Sequence, residues 1–256
     1  MKSKDLHNFI ATELQDLYPE NEANIISSML LEALFGIDRT ALIVDQEITQ
    51  TSKSEKELSD ALVRLKQHEP IQYVLGQAHF YGRDFFVNAN VLIPRRETEE
   101  LVDLIISDHT NFDGKILDIG TGSGCIPITL SLELPQAVVT SIDTSHVWSW
   151  AIISTEAINI AKENATALNA KVSFQEMDVL SASTFPDQYD IIISNPPYVT
   201  NKEMKQMQEN VLDHEPHLAL FVADDDPLIF YRAIVKKSVE SLHKDGMLYF
   251  EINEQY

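Results

Sequence analysis

The sequence predicts an α/β protein: a doubly wound, mainly parallel sheet preceded by a small helical bundle and a β-hairpin linker. Three observations lead there. Residues 1 to about 70 carry only helical periodicity. Beyond Pro94, β-rich runs near 115–119, 137–142, 171–175, 189–194 and 247–252 alternate with helical stretches. That alternation means a parallel sheet covered on both faces. The first of these runs, Lys115-Ile116-Leu117-Asp118-Ile119, leads through Gly120-Thr121-Gly122-Ser123-Gly124 into the apolar stretch Cys125 to Leu134. Strand, glycine loop and helix in that order form the nucleotide-binding corner of such sheets.

The expected segments are 1–70, a helical domain; 71–93, a hairpin linker; and 94–256, the sheet domain. In the first, Leu6, Phe9, Ile10, Leu14 and Leu17 share one helical face, and Ile25, Ile26, Met29, Leu30, Ala33 and Leu34 form a second stripe closed by Gly36. Ser54 and Glu57 read as a capping box for a third helix, which carries Leu58, Leu62 and Leu65 and stops before Pro70. In the linker, Phe80, Phe85, Phe86 and Val87 flank Gly82-Arg83-Asp84, the pattern of a hairpin.

Within the sheet domain the glycine spacing is G-x-G-x-G. It is not the G-x-G-x-x-G of dinucleotide sites, and no Lys-Ser/Thr pair follows as in a P-loop. Glycines allow close backbone approach and present N–H groups to a carboxylate. The second strand ends in Asp143, where a carboxylate accepts hydrogen bonds from ribose hydroxyls in folds of this type. The run Tyr189 to Ser194 reads as a buried strand and ends in Asn195-Pro196-Pro197-Tyr198. The two prolines stiffen the turn and donate no N–H, which leaves the Pro196 carbonyl for a ligand. Asn195 adds one acceptor and two donors, and Tyr198 adds a flat face. This combination suits methyl transfer to a planar nitrogen.

Composition excludes several classes. Net charge is −21 with no basic cluster, so a nucleic-acid backbone would be repelled; Lys236-Lys237 reads as an isolated pair on a solvated helix face. One cysteine, Cys125, rules out an internal disulfide and fits a reducing cytosol. Neither a signal peptide nor a membrane-spanning run of roughly 20 apolar residues is evident. His214 and His217 flank Glu215-Pro216, but Pro216 breaks a helix and no further ligands lie at metal spacing, so no metal is expected.

Taken together, these motifs resemble the class I S-adenosylmethionine-dependent methyltransferases, and within them the HemK-type release factor glutamine N5-methyltransferases. The resemblance spans nearly the whole chain. It includes Glu69 to Gly76, Phe80-Tyr81-Gly82, Val91 to Glu99 (Val-Leu-Ile-Pro-Arg-Arg-Glu-Thr-Glu), the glycine loop, Asn-Pro-Pro-Tyr, and Glu215 to Leu220. It implies a cytoplasmic enzyme that transfers a methyl group from S-adenosyl-L-methionine to the Gly-Gly-Gln glutamine of class I peptide chain release factors, without membrane or direct nucleic-acid binding. Cofactor contacts are implied at Asp118, Gly120, Thr121, Gly122, Ser123, Gly124, Asp143, Asp178, Val179 and Asn195. Asn195, Pro196, Pro197 and Tyr198 are implied to hold the substrate, with Asn195, Pro196 and Tyr198 catalytic. The helical domain is implied to help grip the protein substrate.

The chain departs from the family pattern in three places. About nine residues, 144–152, with both tryptophans, follow Asp143 where a helix is expected at once. The sheet domain is shorter than the family's at its C-terminal end, which predicts an exposed edge at the strand 247–252. Arg96 stands where proline is usual, and residues 223–227 replace a glycine-containing turn. Competing readings are a glutamine methyltransferase of a ribosomal protein, an adenine-N6 DNA methyltransferase, and a silent scaffold that grips a release factor.

Overall fold

The computed structural model describes residues 1–144, 153–206 and 209–253. They fall into two compact units, Met1–Gly76 with Glu209–His214, and Gln77–Gln208 with Glu215–Tyr256.

The first unit holds α1 (Ser3–Leu14), α2 (Glu20–Phe35), α3 (Arg39–Ile43), α4 (Ser52–Leu65) and α5 (Ile71–Leu75). Leu6, Ile10 and Leu14 recur every fourth residue and are fully buried against Leu30, Leu31 and Leu65. Phe9, Leu17 and Ile25 lie outside this core and are exposed. Phe9 sits on the flank of the α1 stripe, and Leu17 follows the end of the helix. Gly36 closes α2 in the left-handed conformation, φ +66°, and its N–H returns to the Glu32 carbonyl. The start of α4 differs from the expected Ser54–Glu57 box. Thr51 is the N-cap: its hydroxyl accepts from Ser54 N–H, and Ser54 Oγ accepts from Thr51 N–H. The Arg64 guanidinium then ties the chain beyond α4, donating to the Glu69 carboxylate and to the carbonyls of Tyr73 and Val74. Residues 71–75, expected as the start of a β-like linker, form a helical turn instead. Pro70 precedes it with the fixed φ that suits a helix start, and Gly76 ends it at φ +72°.

The second unit opens with β1 (Gln77–Phe80) and β2 (Arg83–Phe86), an antiparallel hairpin about Tyr81-Gly82, both at positive φ. Then follow α6 (Arg96–Asp108), β3 (Lys115–Ile119), α7 (Cys125–Glu133), β4 (Val138–Asp143), α8 (Ile153–Ala167), β5 (Val172–Glu176) and β6 (Tyr189–Ser194). Next come β7 (Val199–Thr200), a 3-10 turn at Glu203–Gln206, α9 (Glu209–His214) in the first unit, α10 (His217–Leu220), β8 (Phe221–Val222), α11 (Ile229–Ser241) and β9 (Leu242–Phe250). The central sheet runs β5-β4-β3-β6-β9, all parallel. β7 and β8 form a separate two-residue pair. Alternate residues feed opposite faces: Ile116, Ile191 and Ile193 join a core with α6 and α7, whereas Leu117, Ile119 and Ile192 join one with Phe185 and Ile234. That two-sided burial explains the continuous apolar reading of β3 and β6.

β9 starts at Leu242, before the expected 247, and its register shifts near Asp190. It is one of the two outer strands of the sheet among the described residues, and Met247 is exposed. Lys237 does not lie on a solvated face as expected. α11 turns it inward to 8% exposure, and desolvation lowers its ammonium pKa. Within 144–152, residues 145–152 with both tryptophans lie outside the described residues.

Candidate active site

β3 and β6 are neighbours, but the chain leaves them toward opposite halves of the sheet. The crevice at the carboxyl ends of such a pair is where ligands bind in open α/β sheets. The glycine loop leaves β3 there, and Asn195 to Pro197 leave β6. A Cβ on Gly120 would lie 3.7 Å from the Asn195 carbonyl, so the two loops run side by side. Ser194 Oγ donates to the Ile119 carbonyl at 2.7 Å and pins the two strand ends together. Gly120, Gly122 and Gly124 all have positive φ. At Gly124 a Cβ would also come within 2.8 Å of Ile128 Cδ1 and 3.0 Å of Ala161 Cβ, so the helix junction needs glycine twice over.

The acids sit behind and beside this loop. Asp118 is completely buried. Its Oδ2 accepts the Ser141 hydroxyl at 2.6 Å, and Ser141 in turn lies 2.5 Å from Thr121 Oγ1. The Ser141 proton is spent on the carboxylate, so Thr121 is the donor to Ser141. Oδ1 of Asp118 has no hydrogen-bond partner among the described residues. Burial pushes its carboxyl up to about 7, against the pull of the Ser141 hydroxyl and with a smaller push from the Asp143 charge. Asp143 accepts Gly122 N–H on one oxygen (3.0 Å) and Thr144 N–H on the other (2.7 Å). Burial still raises its pKa to about 6. Asn164 of α8 braces the loop: its Nδ2 donates to the carbonyls of Ser123 (2.9 Å) and Phe86 (3.0 Å), and its Oδ1 accepts Phe86 N–H (2.7 Å).

Past β6, Asn195 Nδ2 donates to Thr98 Oγ1 at 3.3 Å. Thr98 donates to Glu251 Oε2 at 2.6 Å, and Tyr198 donates to Glu251 Oε1 at 3.0 Å. Burial, with the charge and hydrogen bond of Glu251, raises the Tyr198 phenol well above its ordinary value. Nearby, the buried Glu215 accepts from Arg95 at 2.6 Å and from Ile93 N–H at 3.4 Å, which joins the segment before α6 to Pro216.

One cavity collects Gly120, Thr121, Gly122, Ser123, Asp143, Asp178, Val179, Asn195, Pro196 and Pro197. Asp118, Gly124 and Tyr198 stand outside its wall. Asp118 lies under the loop, Gly124 serves the helix junction, and Tyr198 is tied to Glu251. Cys125 also faces the cavity, and burial pushes its thiol up to about 12, which keeps it protonated. Sequence reasoning assigned no role to Thr98, Asn164, Glu215 or Glu251. Thr98 and Glu215 lie in segments already noted for their family resemblance, whereas nothing local distinguishes Asn164 or Glu251. Of the histidines flanking Glu215-Pro216, His214 bonds the Gln67 carbonyl within the first unit, and His217 packs edge-on against Phe221.

The chain is similar to known proteins over nearly all its length. Residues 97–218 match the methyltransferase small domain, and residues 5–76 match the PrmC N-terminal domain. A release factor glutamine methyltransferase of Bacteroides thetaiotaomicron is 46% identical over 97% of this chain and 86% of its own length. Proteins of the same name from Flavobacterium psychrophilum (40% identical; 99% and 87%) and Streptococcus pneumoniae (38%; 93% and 81%) follow. The cavity fits the cofactor of such enzymes. Asp143 keeps free lone pairs for hydroxyl donors, Val179 offers an apolar wall to a flat ring, and the unpartnered Asp118 oxygen adds negative potential beneath the loop that a cationic group would relieve. Matched by domain models in both its parts and by close relatives over nearly all its length, this S-adenosylmethionine-dependent methyltransferase belongs to the release factor glutamine methyltransferase family.

Proposed function

We propose that this enzyme methylates the side-chain amide nitrogen, N5, of the glutamine in the Gly-Gly-Gln motif of class I peptide chain release factors. The observation that carries this reading is the orientation of Asn195. Its NH2 end is turned to Thr98, which leaves Oδ1 as an acceptor, and Asn195 and Pro196 both line the cavity. An amide NH2 has two protons to place, and two acceptors are what it needs. The names of the relatives supply the release factor as substrate class.

When bound, S-adenosylmethionine supplies an electrophilic methyl group on a sulfonium. The chain's own residues do the rest. Gly120 to Ser123 and Asp143 would hold the cofactor, and Asp178 and Val179, which line the same cavity, would receive its adenine. Asn195 Oδ1 and the Pro196 carbonyl accept the two amide protons. They hold the nitrogen lone pair in line and stabilise the positive charge that grows on nitrogen. Pro197 keeps the turn rigid, and Tyr198 anchors the end of the turn to Glu251. No strong base is required: the S–CH3 bond breaks as the N–CH3 bond forms, leaving a neutral thioether, and the proton that the nitrogen then sheds passes to water. Positioning of this kind lowers a barrier by about 7–11 kcal/mol.

The test is methyl transfer from labelled cofactor to purified release factors, ribosomal proteins and DNA. Label on the release factor that vanishes when the Gly-Gly-Gln glutamine is replaced supports the proposal. Label on a ribosomal protein or DNA alone refutes it, and tight cofactor binding with no transfer to any of them would point to a silent scaffold.

A further inference from the structure

Asn195 has two ends of opposite hydrogen-bonding sense, and the protons around it decide which end meets the substrate. Thr98 Oγ1 lies 2.6 Å from Glu251 Oε2 and 3.3 Å from Asn195 Nδ2. A carboxylate only accepts, so the single Thr98 hydroxyl proton goes to Glu251. The Thr98 oxygen then has only lone pairs to offer Asn195. The end of Asn195 that faces Thr98 must therefore be NH2, and Oδ1 faces away. The other Glu251 oxygen takes the Tyr198 proton at 3.0 Å, so both polar side chains of the Asn-Pro-Pro-Tyr turn are oriented by one carboxylate.

The sheet places that carboxylate. Phe250 at the end of β9 pairs with Ser194 at the end of β6, and Glu251 N–H donates to the Ser194 carbonyl at 3.1 Å. From α11, the Tyr231 hydroxyl donates to the Glu251 carbonyl at 3.0 Å. Backbone and side chain of Glu251 are thus both held, and Thr98 beside it is almost fully buried.

We propose that Thr98 and Glu251 are positioning residues that lock the amide polarity of Asn195 and so make the site select a glutamine amide over the isosteric glutamate. This inference rests on the function proposed above. With Oδ1 presented, an N–H donor is welcomed and a carboxylate meets oxygen against oxygen. If Asn195 turns over, its NH2 welcomes the carboxylate instead. Glu251→Gln places a group that both donates and accepts next to Thr98, so the direction of the Thr98 proton is no longer dictated. Thr98→Val removes the hydroxyl, and Thr98→Ser keeps it.

The experiment uses the full chain with these three substitutions. It measures kcat and KM on a purified release factor, cofactor affinity by calorimetry, and inhibition by two peptides that differ only in Gly-Gly-Gln against Gly-Gly-Glu. Glu251→Gln and Thr98→Val should lower kcat by about 10²-fold, leave cofactor affinity near that of the unsubstituted chain, and shrink the glutamine-over-glutamate preference. Thr98→Ser should behave like the parent. If Glu251→Gln and Thr98→Val keep the parental preference, even with slower turnover, the pair is only structural and the inference is overturned. If the parent itself methylates no release factor and binds neither peptide, the proposed function fails first and takes this inference with it.

Discussion

Asn195→Ala separates the two jobs assigned to the cavity. The substitution removes the side-chain acceptor for the target amide but leaves the glycine loop and Asp143 intact. Methyl transfer should fall by roughly 10²–10³, while cofactor binding measured by calorimetry stays within a few-fold. Turnover near the parental rate would exclude Asn195 from the chemistry. Asp143 makes a different prediction, in pH. Burial lifts its pKa to about 6, so below that pH much of it carries a proton. Ribose hydroxyls are donors and favour the ionised form, so cofactor affinity should rise as pH goes from 5 to 7. Asp143 alone contributes up to tenfold per unit well below its pKa, because it releases one proton on binding. Asp143→Asn should flatten that slope and weaken binding, since a hydrogen bond to a charged group contributes about 1.5–3 kcal/mol. A slope unchanged by the substitution would assign the whole titration to another group, such as Asp118.

At the scale of elements, Asn164 connects three pieces: α8, the glycine loop at Ser123, and the hairpin strand β2 at Phe86. Asn164→Ala leaves the part-buried Phe86 N–H and carbonyl and the buried Ser123 carbonyl without that partner. The cost should be about 1–3 kcal/mol for the buried Ser123 carbonyl, read by urea denaturation, together with weaker cofactor binding because the loop loses its brace. Unchanged stability would mean that water replaces the amide. No sequence pattern announces this clamp, and its partners show why. Residues 86, 123 and 164 meet only after α8 packs on the sheet. Glu251 and Thr98 likewise come together through the pairing of β9 with β6, across 153 positions. What was legible was local: strands buried on two faces read as apolar runs, glycines at positive φ read as a loop, and the Gly36 stop was visible. The α4 cap was displaced to Thr51 because Thr-x-x-Ser closes the same reciprocal pair as the expected Ser-x-x-Glu, one turn earlier. The two-residue pair β7–β8 is too short to leave any periodicity.

For the whole molecule, charge and burial act in the same direction on stability. The chain carries a formal −21 at neutral pH, so protonation of carboxylates relieves self-repulsion. Asp118 and Asp143 add a specific effect: their folded-state pKa values, about 7 and about 6, lie above the ordinary carboxylate value near 4 of an unfolded chain. Between those limits the folded state binds more protons than the unfolded one. Unfolding free energy therefore falls as pH rises from about 4 through 6 for Asp143 and through 7 for Asp118, and is flat with respect to both groups above that. The melting temperature should be higher near pH 5.5 than at pH 8. Salt distinguishes the two causes. Raising ionic strength screens the surface charges and should recover part of the loss at pH 8, but it cannot reach Asp118 in its closed site. Asp118→Asn should remove much of the slope that remains in high salt and raise the melting temperature at pH 8, while weakening affinity for a cationic cofactor. Bound S-adenosylmethionine should in turn flatten the slope of the parent, because its positive charge favours both carboxylates in ionised form. A melting temperature in high salt that does not change between pH 5.5 and 8, in the chain without cofactor, would show that Asp118 is already ionised there and that its burial is compensated.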